Sequence, residues 1–387
     1  MATPDKITTI DDLKKLAKRR VPRMFFDYAD SGALTEDTYR ANERDFEQIK
    51  LRQRVAVNIA NRSTATKMIG QDVAMPLAIA PTGSAGLQHA DGEILAAQAC
   101  AEFGVPYTLS TLSICSLEDV AAASSRPIWF QLYVMKDREF SKRLIARAKA
   151  AKCSALVLTL DLQIMAQRHK DVRNGLSAPP KINLNTMTQF ATKPLWCLKM
   201  LGTKNRQFGN IHGHVENVSD LSSLSAWIGE QFDEQLNWDD IAWIKEQWGG
   251  PLILKGIMDP EDAKMALKVG ADAMIVSNHG GRQLDGTESS IAALPKVLDA
   301  VRGDSEIHLD GGVRTGIDIL RARAMGAQGV YVGRPYLYGL GAMGKKGVTK
   351  ALQIFHKELD ITMALCGENN IENIGRHNLI DPNPRLL

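Results

Sequence analysis

The stretch Ala273-Met274-Ile275-Val276-Ser277-Asn278-His279-Gly280-Gly281-Arg282-Gln283-Leu284-Asp285-Gly286 runs from an apolar segment into a polar loop. Four uninterrupted apolar residues read as a strand buried on both faces, the mark of a parallel sheet. A polar constellation at the carboxyl end of such a strand is where α/β barrels and open α/β sheets place their chemistry. This loop carries an imidazole, a guanidinium and two adjacent glycines that allow close backbone approach. A base beside a carboxylate-binding cation points to chemistry on a small organic acid. A helix-entry loop with one solvated arginine would explain an isolated histidine, but it does not explain the whole string.

Seven further short apolar runs lie on either side, at 77–80, 105–109, 128–132, 155–160, 252–254, 307–309 and 329–332. Most intervening segments have room for one helix and its turns. Strand-helix alternation implies parallel pairing, and eight such units imply a closed (β/α)8 TIM barrel. The competing reading, an open doubly wound sheet, lacks a glycine-rich dinucleotide fingerprint after the first strand. Nearly every strand ends in polar or special residues: Pro81-Thr82-Gly83, Ser110, Gln131 and Tyr133, Thr159 and Asp161, Lys255, Ser277 to Arg282, Asp310, and Gly333-Arg334. The chain reads as one domain over 1–387, with the barrel at about 75–340 and a helical segment before it.

That helical segment opens with Thr9 as N-cap and carries Asp11 and Asp12 in its first turn. Lys14, Lys15, Lys18, Arg19 and Arg20 cluster towards its end, and Pro22 marks the stop. The charge order suits the helix dipole, so the cluster reads as a solvated helix end. The gap from Asp161 to Leu252 is far longer than the others. Residues 221–248 look helical and supply the crossover, which leaves a long loop after the fourth strand at about 175–220. Within it lies the mostly apolar run Pro194-Leu195-Trp196-Cys197-Leu198-Lys199-Met200-Leu201. Two readings stand: packing on the barrel or a neighbouring subunit, and interfacial contact with a membrane, where Trp and Lys sit well.

Composition sets the outer bounds. Of the 387 residues 44% are hydrophobic and 24% charged, ordinary values for a globular chain. A net charge of +3, with no basic run interleaved with aromatics, argues against a nucleic-acid partner. The five scattered cysteines lack metal-type spacing, which argues for a reducing compartment and against a disulfide framework or a zinc site. The amino terminus is polar, without a signal-peptide core, and no apolar run is long enough to span a bilayer. A cytoplasmic protein, touching a membrane from its inner face at most, is expected.

The strand ends divide by chemistry. Gly312, Arg314, Gly333 and Arg334 follow the last two strands, the recurrent phosphate site of the barrel fold. Their ligand is a substrate phosphate or a phosphate-bearing cofactor. Ser110, Gln131 and Thr159 are neutral groups suited to reading a heterocycle. Lys255, at an otherwise buried strand end, faces either an anion formed during turnover or a structural carboxylate. His279 with Asp161 makes a base and its orienter, and Arg168 with Arg282 suits a bidentate hold on a carboxylate.

Taken together these residues resemble the FMN-dependent α-hydroxy acid dehydrogenase and oxidase family, from about Ile10 to Gly375. The resemblance rests on Phe26-Asp27-Tyr28 with Ser31-Gly32, Ala80-Pro81-Thr82-Gly83, Gln131-Leu132-Tyr133 and Thr159-Leu160-Asp161. It continues through Arg168 with Asp171-Val172-Arg173-Asn174, Lys255-Gly256, the string from Ser277 to Gly286, Asp310-Gly311-Gly312-Val313-Arg314 and Gly333-Arg334-Pro335. The resemblance implies FMN as cofactor and His279 as the active-site base, with Asp161 stabilising its protonated form. It assigns the substrate carboxylate to Arg168 and Arg282, and hydrogen bonds to substrate to Tyr28 and Tyr133. Thr82, Gly83, Ser110, Gln131, Thr159 and Ser277 would line the flavin, Lys255 would stabilise its reduced form, and Asp310 would lie near the ribityl chain. Gly312, Arg314, Gly333 and Arg334 would hold the phosphate.

Two positions depart from many oxidases of the family: Leu112 stands where an aromatic residue is common, and Met165 lies on the substrate-facing loop. Gln167, His169 and Lys170 around Arg168 are closer to the lactate-oxidising branch. The expected reaction is therefore oxidation of an L-2-hydroxy acid, L-lactate to pyruvate foremost, with electrons passed to a quinone or cytochrome. The alternative is an oxidase that uses oxygen and releases hydrogen peroxide. The resemblance also implies a homo-tetramer, and the long loop is similar to the segment by which membrane-bound members attach.

Overall fold

The computed structural model describes residues 6–175, 184–213 and 230–381. Three helices come first: α1 (Ile10–Arg20), α2 (Arg23–Ala29) and α3 (Asp37–Gln48). Thr9 caps α1 as expected, its hydroxyl and the Asp12 carboxylate forming a reciprocal capping box. Pro22 ends that helix and also opens the next, because its missing N–H costs nothing at a helix start. A hairpin of β1 (Thr66–Met68) and β2 (Gln71–Val73) then leads into the barrel.

The eight barrel strands are β3 (Leu77–Ile79), β4 (Thr108–Ser110), β5 (Trp129–Leu132), β6 (Ala155–Thr159), β7 (Leu252–Ile257), β8 (Ala273–Val276), β9 (Glu306–Asp310) and β10 (Gly329–Val332). All neighbours pair in parallel, and β3 joins β10. A bridge between Ile79 and Tyr107 completes the ring, with Ile79 N donating to Pro106 O at 2.9 Å. The outer layer begins with α4 (Gly92–Phe103), α5 (Leu117–Ala123) and α6 (Arg138–Ala150). The excursion after β6 contributes α7 (His169–Arg173), α8 (Leu184–Ala191) and α9 (Pro194–Gly202) before α10 (Trp238–Trp248) resumes the barrel pattern. Next come α11 (Pro260–Lys268), α12 (Ser290–Val301) and α13 (Gly316–Met325), and then α14 (Arg334–Met343) and α15 (Lys345–Leu365).

Side-chain alternation divides the core in two. Ala78, Trp129, Val157, Ile253, Ile275 and Tyr331 fill the barrel interior. Their strand neighbours Ile79, Phe130, Leu158, Leu254, Val276 and Val332 join the larger core beneath the helices. The same period of two puts Ser110, Gln131, Thr159, Lys255, Ser277 and Asp310 on the inner face at the carboxyl ends of their strands. Strand geometry alone therefore gathers these six residues.

Three local expectations need correction. The described part of the helix expected over 221–248, residues 230–248, is not continuous: α10 starts only at Trp238, capped by Asn237, and Phe232 sits in a bridge to Met135. The fifth barrel strand does not stop at Leu254 but continues to Ile257, with an irregularity between Lys255 and Ile257. The long loop expected at about 175–220 has structure of its own: the apolar run 194–201 is helical, forming α9. Parts of the excursion, 176–183 and 214–229, lie outside the described residues.

Candidate active site

A cleft of about 1030 Å³, mouth included, opens at the carboxyl end of the barrel. Thirteen of the expected site residues line it: Tyr28, Thr82, Gly83, Tyr133, Arg168, Lys255, His279, Arg282, Asp310, Gly312, Arg314, Gly333 and Arg334. Asp161 stands directly behind His279. Ser110, Gln131, Thr159 and Ser277 are buried at the inner strand ends beneath the cleft wall.

His279 Nδ1 lies 2.8 Å from Asp161 Oδ1, which leaves Nε2 for the cleft. The histidine backbone is in the left-handed region at φ 58°, an uncommon conformation for a residue with a Cβ. It is held there by the loop's own bonds: His279 N donates to Ser277 Oγ at 3.1 Å, and Gly281 N donates to Asn278 O at 3.0 Å. Asp161 in turn depends on Gly256. A Cβ there would come within 2.9 Å of the Asp161 Cβ and Cγ, and Gly256 has φ 105°. Burial disfavours the Asp161 carboxylate, but the neighbouring His279 and Lys255 charges outweigh it and hold the group below its ordinary value.

Lys255 is almost fully buried and has a structural carboxylate, one of its two expected partners. Its Nζ is 3.1 Å from Asp310 Oδ2 and donates to Ser277 Oγ at 2.8 Å. Burial works against the ammonium, yet Asp310 and Asp161 raise it above the ordinary lysine value. The structural ion pair is therefore present, and the side chain still faces the cleft.

The two substrate-side arginines differ. Arg168 Nε pairs with Asp171 Oδ2 at 2.5 Å, and its guanidinium lies 5.6 Å from the centre of the Tyr28 ring. Arg282 donates to the carbonyls of Tyr28 at 2.7 Å and Ser31 at 3.0 Å, and it stacks on Tyr28 at 4.9 Å. Among the described residues no carboxylate bonds to Arg282. Desolvation, with Arg168 and Arg334 close by, pulls its value down to about 10. A guanidinium that bonds to no carboxylate among the described residues, beside two others, is a site prepared for an anion. Tyr133 is buried at the same wall, its phenol pushed up by burial and by Asp161.

At the other end of the cleft, Arg334 is buried and stacks on Tyr39 at 4.4 Å. Its Nη2 donates to Ser31 O at 2.8 Å, and its buried Nε has no hydrogen-bond partner among the described residues. Arg314 is already paired, donating to Glu43 Oε1 at 2.8 and 3.1 Å. Gly312 is a glycine for packing: a Cβ there would sit 1.9 Å from Asn42 O on α3. Around the floor, four further buried polar atoms have no partner among the described residues: Gln131 Nε2, Thr159 Oγ1, Asp310 Oδ1 and Asp161 Oδ2. Buried polar atoms are normally satisfied, so this concentration marks a ligand's place. Neutral groups at one end and guanidinium groups at the other fit a flavin ring with a phosphate tail, and hence FMN.

Sequence reasoning missed Phe232, whose ring meets Tyr133 edge-on at 5.7 Å, and the α3 residues Tyr39 and Glu43. Phe232 comes from the end of the excursion, where no motif marks it. Tyr39 and Glu43 are one helical turn apart, a spacing that also fits any solvated helix face.

Comparison with known proteins agrees with this geometry. The sequence pattern of the family described as FMN-dependent dehydrogenase matches residues 17–381. The L-lactate dehydrogenase of Actinobacillus pleuropneumoniae serotype 5b (strain L20) is 44% identical over 376 residues, covering 97% of this chain and 98% of that protein. That of Haemophilus influenzae (strain PittEE) matches with the same identity and coverage. Among solved structures, the monotopic membrane protein (S)-mandelate dehydrogenase superposes with a TM-score of 0.93 at 32% identity, covering 97% of this chain and all of that one. Mandelate oxidase superposes at 0.82 with 33% identity, covering 95% and 96%. With the barrel, the His279–Asp161 pair and the guanidinium-lined cleft in place, these matches establish that the chain belongs to the FMN-dependent dehydrogenase family.

Proposed function

We propose that this protein oxidises L-lactate to pyruvate, and that the carboxylate of the substrate is the anion Arg282 awaits. The observation that carries this reading is Arg282 itself, without a carboxylate partner in the same cleft as His279. Lactate, as the particular hydroxy acid, comes from relatives 44% identical over nearly the whole chain. Bound FMN supplies a two-electron acceptor for the C2–H bond.

The residues of the chain do the rest. Arg168 and Arg282 bind the carboxylate and fix the acid's orientation. Tyr28, whose ring lies 5.6 Å from the Arg168 guanidinium and 4.9 Å from that of Arg282, and Tyr133 donate to substrate oxygens. His279 Nε2 takes the hydroxyl proton, and Asp161 on Nδ1 stabilises the imidazolium that results. Lys255 offsets negative charge at the cleft floor, and Arg334 with Arg314 holds the phosphate tail.

For the electron acceptor we favour a quinone or cytochrome, since the relatives named above are called dehydrogenases. Peripheral contact with the inner face of a membrane fits α9. Trp196 clamps its inner side, stacking 5.3 Å from Phe25 and donating to Leu87 O at 3.1 Å, while Leu195, Leu198 and Leu201 are 65–74% exposed on its outer side. A homo-tetramer completes the proposal. Assay of the FMN-loaded enzyme with L-lactate and a dye acceptor, beside oxygen uptake and peroxide formation, tests it. Dye reduction with little peroxide is expected, whereas equal peroxide formation would restore the oxidase alternative.

A further inference from the structure

Glu93, in the first turn of α4, is fully buried. Among the described residues no cation pairs with it, although buried carboxylates normally require one. It meets backbone amides in place of a cation: Oε1 accepts from Gly86 N at 2.8 Å and from Ile114 N at 3.0 Å. The two amides belong to different loops, one after β3 and one after β4. A third bond, Ser84 N to Leu112 O at 2.8 Å, ties the same loops together. Each loop contributes to the cleft wall, Gly83 from the first and Leu112 from the second. The fit is close: a Cβ on Gly83 would be 3.3 Å from the Leu112 Cβ and 3.6 Å from the Tyr28 hydroxyl. Small movements of either loop therefore change the room beside Tyr28.

We propose that Glu93 is a positioning residue for substrate selection, acting through Gly83 and Leu112 to set the size of the hydroxy-acid side chain the cleft accepts. It touches neither substrate nor cofactor. One carboxylate oxygen bonds to both loops, whose other hydrogen bond among the described residues is the Ser84 one. This inference rests on the hydroxy-acid reading above.

The test compares kcat and KM for L-lactate and for the longer, branched L-2-hydroxyisocaproate, with a dye acceptor, in the wild-type, Glu93→Gln and Glu93→Ala holoenzymes. Glu93→Gln keeps an oxygen for the two amides and should hold the wild-type ratio of kcat/KM between the two acids. Glu93→Ala should lower that ratio, in favour of the larger acid, by roughly 10-fold, the scale on which a hydrophobic pocket discriminates methylenes. The change should appear in KM while kcat for lactate is largely kept. A Glu93→Ala enzyme that loses the same factor on both acids, or none, overturns the proposal and leaves Glu93 a purely structural residue. If Glu93→Ala does not fold, Glu93→Asp carries the test, since its shorter side chain does not span both amides; an unchanged ratio there overturns the proposal equally. Wild-type enzyme that oxidises neither acid would overturn the hydroxy-acid reading itself, an outcome distinct from failure of the Glu93 assignment.

Discussion

Arg282 and His279 come from one loop, three residues apart, and the chemistry depends on their being held differently. Among the described residues Arg282 bonds only to carbonyls and the Ser31 hydroxyl, so no carboxylate occupies its fork. Replacing it with lysine keeps the charge but removes the planar fork. The Arg282→Lys enzyme should lose roughly 10- to 100-fold in kcat/KM for L-lactate, mostly through KM, as the strength of charge-assisted hydrogen bonds implies. Steady-state kinetics checks this. His279 is oriented by Asp161, and its loss should act on the chemical step. The His279→Gln enzyme should keep its flavin absorbance while kcat falls by about 10²- to 10⁴-fold, the usual contribution of a general base. Loss of flavin from this variant would mean that His279 is structural. Both residues were legible in the sequence because the loop concentrates rare residue types at a strand end. Glu43 was not, because an acid on a helix face carries no sign that an arginine of another element will reach it.

At the scale of elements, α2 contributes Tyr28 and Ala29 to the cleft wall, and Asp30 pins the amino-terminal helices to the barrel. Its Oδ1 accepts from the Tyr338 hydroxyl at 2.5 Å and pairs with Lys14 at 2.9 Å, joining α1 and α2 to α14. Burial opposes the Asp30 charge, but the Tyr338 hydroxyl and the Lys14 ammonium outweigh it and hold the carboxyl below its ordinary value. A carboxyl lowered in the folded state contributes stability that is complete above its unfolded value. That contribution is lost as pH falls through the folded value. Thermal melts between pH 7 and pH 3 should therefore show Asp30→Asn less stable than wild type at pH 7, with the gap closing below about pH 4. A gap independent of pH would contradict this account. The strands themselves were legible from short apolar runs, with boundaries exact for β8 and β10 and off by one to three residues in the other six. The helix expected over 221–248 was not found as such, since an apolar spacing that suits a helix also suits Phe232 packed on Tyr133 from irregular chain. Gly256 shows the limit in the other direction. It was read as part of a motif, but its reason, room for Asp161, exists only once two strands are side by side.

For the whole molecule, the barrel gathers the cofactor groups at one end and leaves α9 attached to the outside. No described helix is long and apolar enough to cross a membrane, so a contact through α9 would be interfacial. Replacing Leu195, Leu198 and Leu201 together with serine should abolish co-sedimentation with lipid vesicles while leaving dye-linked turnover within about twofold, because none of the three lines the cleft. Undiminished sedimentation would reject α9 as the contact. The central claim, that the cleft holds FMN and that the acid reduces it, is tested most directly by the visible spectrum of the purified holoenzyme before and after anaerobic addition of L-lactate. A flavin band that bleaches on mixing is the expected result. A flavin band that L-lactate leaves unchanged would contradict the substrate, and the lack of any flavin band after reconstitution with FMN would contradict the reading of the cleft.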